Sequence, residues 1–178
     1  GGQNRVFFIW PSASAHLSGM TITGGSADYG GGIYNCHGTL TVANSTLSDN
    51  STSKHGGAIY NDGGTVTVTN STIAGNSANN DGGGIYSDSG TLTVTNATIS
   101  GNSGGGISNS GTLTITNSTI SGNSASWSGG GIQNYGGTLT VANSTIASNL
   151  AEVNGGGISN RSGTLTVTNA TVSGNSAS

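Results

Sequence analysis

The chain has 178 residues, of which 34 are glycine and 5% are charged, and its formal net charge is −3 at pH 7. Three Lys and Arg residues are too few to neutralise a run of phosphates, so we expect no nucleic acid partner. A single cysteine excludes a disulfide framework, and no apolar run approaches the roughly 20 residues of a transmembrane helix, so no transmembrane segment is expected.

The first 24 residues precede a series of repeats and can be aligned with it. The run AHLSGMTI at 15–22 takes the place that LTVANSTL takes at 40–47. We therefore predict that 1–24 form a degenerate first coil or cap, because terminal repeats are often atypical. An aromatic-rich strand is expected ahead of that run, made of Val6, Phe7, Phe8, Ile9 and Trp10.

Six near-copies of one sequence follow, 26 residues apart except for one interval of 21. They are GTLTVANSTLSDN (38–50), GTVTVTNSTIAGN (64–76), GTLTVTNATISGN (90–102), GTLTITNSTISGN (111–123), GTLTVANSTIASN (137–149) and GTLTVTNATVSGN (163–175). A fixed period of this size indicates a repeat protein. We expect one domain over 1–178, in which 25–178 contain six regular repeats.

Within each repeat the residues alternate in polarity. Leu40 and Val42 are apolar, whereas Thr39 and Thr41 are polar, as in a strand with one buried and one solvated face. Gly-Gly-Ile-x-Asn and Ser-Thr-Ile segments supply two more short strands per repeat, with Gly, Asn and Ser at the turns. These patterns predict an all-β fold, a right-handed parallel β-solenoid of about seven coils with three short strands in each coil.

Asparagine recurs at two fixed positions of the repeat, and we predict that the first row has the inward phase at a bend and that the second row marks the next turn. Stacked amides at such corners can hydrogen-bond from coil to coil. The first row is Asn44, Asn70, Asn96, Asn117, Asn143 and Asn169. The second row is Asn50, Asn76, Asn102, Asn123, Asn149 and Asn175. Asn-x-Ser/Thr sequons coincide with the first row, where an inward Asn could carry no glycan, so glycosylation stays open only at Asn50 and Asn160.

The runs GGGIYN (30–35), GGAIYND (56–62) and GGGIYSDSGTLTVTNATISGNS (82–103) resemble right-handed parallel β-helix proteins of the pectin-lyase-like superfamily. They are especially similar to bacterial surface proteins with polymorphic-outer-membrane-type repeats. The resemblance covers nearly the whole chain and implies the fold, export and a surface or matrix role, but it does not imply catalysis. We therefore expect an extracellular or cell-surface protein with a non-enzymatic structural or adhesive role.

The solvated faces of the Thr-x-Thr strands are a candidate recognition surface for ice or a surface polysaccharide. Their members are Thr39, Thr41, Thr65, Thr67, Thr91, Thr93, Thr112, Thr114, Thr138, Thr140, Thr164 and Thr166. Such regular Thr arrays resemble the ice-binding faces of antifreeze proteins, which makes ice binding the alternative function. Threonine also simply suits an exposed strand, so the rows have a structural explanation as well.

A polysaccharide-active enzyme is the third hypothesis, because that chemistry uses paired carboxylates. Six acidic residues are present, and only Asp62 and Asp88 share a phase that would place them on adjacent coils. No Ser-His-Asp set can be assembled at fixed phases, and no Cys or His spacing predicts a zinc site. The sequence thus predicts no catalytic residue, no metal site and no cofactor.

The last repeat keeps its full pattern up to Val172 and Asn175, so its unpaired strand edges invite another strand. The aromatic-rich strand from Val6 to Trp10 could lie on that edge, and a head-to-tail contact that does not close produces a filament. We therefore expect self-association end to end. The alternative is that these residues are a fragment of a longer solenoid.

Overall fold

The alternation of apolar and polar residues produces strands, and the polar Gly-Asn-Ser segments between them produce turns. A computed structural model describes residues 4–178, and these residues form 27 strands and no helix. The chain winds through seven coils. The first three contain β1 (Phe7–Ile9), β2 (Ser14–Ser18), β3 (Thr21–Thr23), β4 (Ser26–Tyr29), β5 (Ile33–Cys36), β6 (Thr39–Ala43), β7 (Thr46–Ser48), β8 (Ser51–His55), β9 (Ile59–Asp62), β10 (Thr65–Thr69), β11 (Thr72–Ala74) and β12 (Ser77–Ala78).

The remaining four coils repeat the same order of strands. They contain β13 (Ile85–Asp88), β14 (Thr91–Thr95), β15 (Thr98–Ser100), β16 (Ile107–Asn109), β17 (Thr112–Thr116), β18 (Thr119–Ser121), β19 (Ser124–Ala125), β20 (Ile132–Tyr135), β21 (Thr138–Ala142), β22 (Thr145–Ala147), β23 (Leu150–Ala151), β24 (Ile158–Arg161), β25 (Thr164–Thr168), β26 (Thr171–Ser173) and β27 (Ser176–Ala177).

Equivalent strands of successive coils pair in parallel and form three seven-stranded sheets, so the predicted parallel solenoid of seven coils is confirmed. The first sheet runs β1-β5-β9-β13-β16-β20-β24, the second β2-β6-β10-β14-β17-β21-β25, and the third β3-β7-β11-β15-β18-β22-β26. The first coil joins in the predicted phase, since Ala15 pairs with Leu40 and Ile22 pairs with Leu47.

A short fourth strand also occurs in most coils, beyond the three that the sequence predicts. It forms two three-stranded sheets, β4-β8-β12 and β19-β23-β27. In the coil between them, Ser103 makes only single bridges to Ser77 and Ser124. The strand is missed from sequence because two residues, as in β12, are too few to show alternation.

The core is a set of apolar columns, each contributed by one position of the repeat. The predicted Leu and Val columns of the second sheet are fully buried in the middle coils, and Ile columns of the first and third sheets complete the core. In the last coil Leu165, Val167 and Val172 are partly exposed, because one side of that coil has no neighbour.

Buried asparagines form a ladder at one corner, as predicted for the second row. Asn76 Nδ2 donates hydrogen bonds to Asn102 Oδ1 at 3.0 Å and to the carbonyl of Leu47 at 3.0 Å. The Asn76 backbone N–H donates to the same Asn102 Oδ1 at 3.0 Å. The polar groups of this buried corner are therefore paired with one another and with the backbone.

The prediction for the first asparagine row is wrong, because these side chains are exposed. Asn44 and Asn70 have φ values of 49° and 50°, in the left-handed region. That conformation interrupts the alternation of inward and outward side chains. Asn70 therefore points outward, and the side chain of the next residue, Ser71, is buried instead. The glycosylation argument changes with it: this row is accessible, Asn50 is buried, and Asn160 is exposed.

The shortened interval between the fourth and fifth coils removes a loop and keeps the strands of the three long sheets. Ser103 is followed directly by three glycines that lead into β16. Gly104 and Gly105 have φ values of 93° and 91°, which L side chains rarely adopt. The glycines thus allow a shorter connection than the other coils have at this position of the repeat.

Candidate functional site

The twelve predicted Thr residues all lie on the outer face of the second sheet. They form two files in register, and the strand pairs that carry them have no bulge. The file that contains Thr91 is exposed. The file that contains Thr93 is half-buried in every coil except the last, where it is exposed. The structure therefore brings this set together as one array of hydroxyl and methyl groups.

A ladder of aromatic rings covers the outer face of the first sheet in its first four strands. Phe8, Tyr34, Tyr60 and Tyr86 are successive register partners. Their ring centroids are 5.1, 5.0 and 5.3 Å apart, close to the strand separation. Because each ring packs against the next, much of each ring face is covered by its neighbours in the ladder.

The ladder ends at Tyr86, because the next residues in the column are small or polar. The position that Tyr86 holds in its coil is occupied in the next three coils by Ser108, Gln133 and Ser159. The loss of the large ring makes a step in the surface, and a groove continues beyond the step over the last strands of the sheet.

Two adjoining cavities make up this groove, and we call them together the sheet-one groove. The first, of about 260 Å³, is lined by Asp81, Tyr86, Ser110, Gln133 and Tyr135. The second, of about 560 Å³, is lined by Ser128, Gln133, Tyr135, Asn154, Ser159, Asn160, Arg161 and Ser162. The lining of the whole groove combines aromatic rings with amides and hydroxyls, and it includes one acidic residue, Asp81, and one basic residue, Arg161.

Charges within the groove are held by contacts to neighbouring side chains. Burial raises the pKa of Asp81, and His55 acts in the opposite direction, with its Nδ1 at 3.9 Å from Asp81 Oδ2. At the other end the guanidinium of Arg161 lies over the ring of Tyr135, 5.4 Å from its centroid. The two charged groups therefore mark opposite ends of the groove.

Asp62 and Asp88 are brought together as the sequence predicts, because they are register partners on β9 and β13. The hydroxyl of Tyr34 donates a 2.7 Å hydrogen bond to Asp62 Oδ2. The hydroxyl of Ser89 donates to Asp88 Oδ1 at 3.2 Å. Both carboxylates lie beside the aromatic ladder, and neither lines the sheet-one groove.

The two predicted assembly ends lie in the first and last coils. Phe7, Phe8 and Ile9 form β1, and Val6 and Trp10 flank it. Among residues 4–178, β1 pairs with β5 and lies at the edge of its sheet. In the last coil, Val172 is 53% exposed. The side chain of Asn175 continues the corner ladder by accepting a 2.9 Å hydrogen bond from Asn149 Nδ2.

Sequence reasoning missed the sheet-one groove, although a signal for it is present. The residue after the Ile of each Gly-Gly-Ile segment is Tyr34, Tyr60 or Tyr86 in three coils, then Ser108, Gln133 and Ser159. An aligned set of repeats therefore shows a change from large to small residues. The alignment does not show that Asp81 and Tyr135, which occupy different positions of the repeat, line the same cavity.

Comparisons with known proteins identify the fold and nothing more specific. A family model described as a right handed beta helix region matches residues 5–177. No curated protein and no solved structure matches the chain. In the part of the chain that the structure describes, no helix has the length and apolar character to cross a membrane.

Proposed function

This chain belongs to the right-handed β-helix family, and we propose that it is a non-enzymatic adhesive scaffold that binds a polar polysaccharide in the sheet-one groove. The family includes both enzymes and non-enzymes, so the assignment rests on the groove itself. The observation that carries it is the step from the Tyr86 ring to Gln133, which leaves an open groove lined by rings, amides and hydroxyls.

The chemistry of the lining suits a sugar chain. A sugar ring has an apolar face that packs on an aromatic ring, and Tyr86 and Tyr135 offer such rings. The amide of Gln133 both donates and accepts, and the surrounding Ser hydroxyls do the same, which matches the hydroxyls of a sugar. An elongated groove on a rigid sheet accommodates a polymer better than a small compact metabolite.

The distribution of acids supports binding without hydrolysis. Most glycoside hydrolases place two carboxyl groups about 5–9.5 Å apart across the scissile bond. Among the residues that line the groove, Asp81 is the only acid, and it is engaged with His55. The enzyme hypothesis uses Asp62 and Asp88 as the pair of carboxylates. It therefore requires the substrate to bind beside the aromatic ladder and not in the sheet-one groove.

An extracellular or cell-surface location is part of the proposal. It is supported by the resemblance of the repeats to bacterial surface proteins, and by a repetitive polar surface with few charges. A stiff solenoid in that setting can present a binding groove at a distance from its attachment point.

Electrophoresis through gels that contain soluble polysaccharides, neutral and acidic in turn, tests the proposal. At least one polysaccharide should retard the chain, and Gln133→Ala and Tyr135→Ala should weaken that binding by about tenfold. Trp127→Ala is the matched control, because Trp127 is an exposed aromatic residue outside the lining set. Retardation that both groove variants retain, or no retardation by any polysaccharide, would contradict the proposal.

Ice binding is the second candidate, and the Thr files favour it because they stay in register over six strands. The test is to grow a single ice crystal in a solution of the chain. Faceted growth that disappears in Thr93→Lys with Thr114→Lys, and persists in Gln133→Ala, would favour this function over ours. Round, unshaped crystals would remove ice binding from consideration.

A further inference from the structure

Three metal-ligating side chains converge at the turn that follows β5. Cys36 ends β5, His37 follows it, and Asp62 is the register partner of Cys36 on β9. A sulfur, a ring nitrogen and a carboxylate oxygen from these residues all lie within 4.8 Å of one another. The site lies on the first two Gly-Gly-Ile strands and is separate from the sheet-one groove.

Neighbouring residues of a strand normally point to opposite faces, so the convergence of Cys36 and His37 needs an explanation. His37 has a φ of 55°, and this left-handed conformation ends the alternation. The imidazole then lies over Gly63, where a Cβ atom would come within 2.9 Å of the ring. A glycine on the next coil thus leaves the space that the ring occupies.

The distances fit a tetrahedral metal site. Cys36 Sγ and His37 Nδ1 are 3.6 Å apart. A tetrahedral zinc with a Zn–S distance of about 2.3 Å and a Zn–N distance of about 2.0–2.1 Å requires these atoms to be about 3.6 Å apart. Asp62 completes a set of three ligands, because the parallel ladder holds its backbone in register with Cys36 and its carboxylate lies within 4.8 Å of the other two ligand atoms.

The carboxylate of Asp62 is already oriented by a neighbour. Tyr34 Oη donates a 2.7 Å hydrogen bond to Asp62 Oδ2, which leaves Oδ1 for a metal. Outer partners of this kind fix the ligand and raise metal affinity. Asp88 is the next residue in the same column, so a further carboxylate lies one strand away and adds attraction for a cation.

We propose that Cys36, His37 and Asp62 form a zinc site, with the fourth position open to water or to an oxygen ligand from a binding partner. The donor set selects the metal, since a thiolate and an imidazole favour zinc over calcium or magnesium, which prefer oxygen ligands. The half-buried thiol and the exposed imidazole leave the site accessible from solvent. It links β5 to β9 near one end of the solenoid.

The test uses the chain freed of metal and titrated with Zn²⁺ against a chromophoric chelator. Cys36→Ser, His37→Gly and Asp62→Asn should each weaken binding by about 100-fold or more, since loss of only an outer partner typically costs about 10–100-fold. Co²⁺ in place of Zn²⁺ should give the thiolate charge-transfer band and the visible bands of a tetrahedral site. We expect His37→Gly to preserve the fold, because Gly63 occupies the same position in the next coil and has a φ of 63°.

The lone thiol gives an independent readout that does not depend on the chelator. The chain has one cysteine, so alkylation reports on Cys36 alone, and Zn²⁺ should slow it in the wild type but not in His37→Gly. His16→Ser is the control, because His16 lies on the second sheet, and it should behave as the wild type does. No zinc binding by the wild type, or binding that His37→Gly and Asp62→Asn leave unchanged, would overturn the proposal.

Discussion

Single asparagine residues hold the corner of this solenoid together, because in the middle coils each side chain hydrogen-bonds to the coil before its own and to the coil after it. Asn102 donates to the carbonyl of Ile73 at 3.1 Å and to Asn123 Oδ1 at 2.9 Å. Its own Oδ1 accepts two hydrogen bonds from Asn76. The residue therefore connects three coils.

We expect Asn102→Ala to lower the free energy of unfolding by about 2–4 kcal/mol, because it leaves buried groups of Asn76 without a partner. Asn96→Gly is the matched control. Asn96 is exposed and has a φ of 52°, so glycine should change stability by no more than about 0.5 kcal/mol. Urea unfolding followed by circular dichroism measures both, and equal losses would show that the ladder is not the source of stability.

A second single-residue effect concerns pH. The ring of His55 packs against the ring of Tyr86 at an angle of 45°, with centroids 4.5 Å apart, and the His55 side chain is 23% exposed. Burial is the main cause that lowers its pKa, with a smaller contribution from Lys54, while Asp81 and Asp88 oppose the shift. The folded protein therefore holds the neutral imidazole more strongly than the unfolded chain does.

It follows that the unfolded chain binds more protons than the folded one as the pH falls through about 6.5, the ordinary pKa of histidine. The free energy of unfolding should therefore decrease between pH 8 and pH 5.5. His55→Gln should flatten this part of the stability profile, because it removes the group whose pKa is lowered by folding. A profile with the same slope in wild type and His55→Gln would contradict the assignment.

Within a single strand, substitutions on the two faces of β14 should have different effects on stability. Val94 is fully buried between Val68 and Ile115, its partners on the adjacent strands. Val94→Asp should lower the free energy of unfolding by about 3–5 kcal/mol, because it buries a charge without a partner. Thr93→Ser, one residue away on the solvated face, should have little effect. Similar losses from both variants would mean that the faces are assigned wrongly.

The strands of the long sheets could be predicted because each repeat carries the alternation, and six repeats agree. Leu40 and Val42 predict the inward face, and the first coil could be aligned through Ile22. The Asn44 row was assigned to the wrong face, because alternation fails where one residue takes a left-handed conformation. Local pattern gives no warning of that turn.

The candidate sites were less accessible to sequence reasoning than the strands were. The Thr files follow directly from one repeated motif. The sheet-one groove joins Asp81 to Tyr135, and the proposed metal site joins His37 to Asp62, in each case from different positions of the repeat on different coils. Such contacts depend on how loops and turns project, which the repeat pattern leaves undetermined.

For the whole molecule, end-to-end assembly remains a prediction. The first coil carries the exposed aromatic side chains of Phe8 and Trp10. Exposed apolar surface of this kind favours stacking of one copy on another. Light scattering of this chain should show species that lengthen with concentration, and deletion of 1–10 should stop the growth. Monomers at all concentrations would contradict the prediction.

We propose that this solenoid presents the sheet-one groove to a polysaccharide. Nuclear magnetic resonance titration with a panel of neutral and acidic oligosaccharides tests it most directly, because each surface has its own reporters. We predict that a bound oligosaccharide shifts the ring signals of Tyr86 and Tyr135 and leaves the Thr91 and Thr93 amides unchanged. Shifts confined to the Thr files, or no shifts with any oligosaccharide, would contradict the claim.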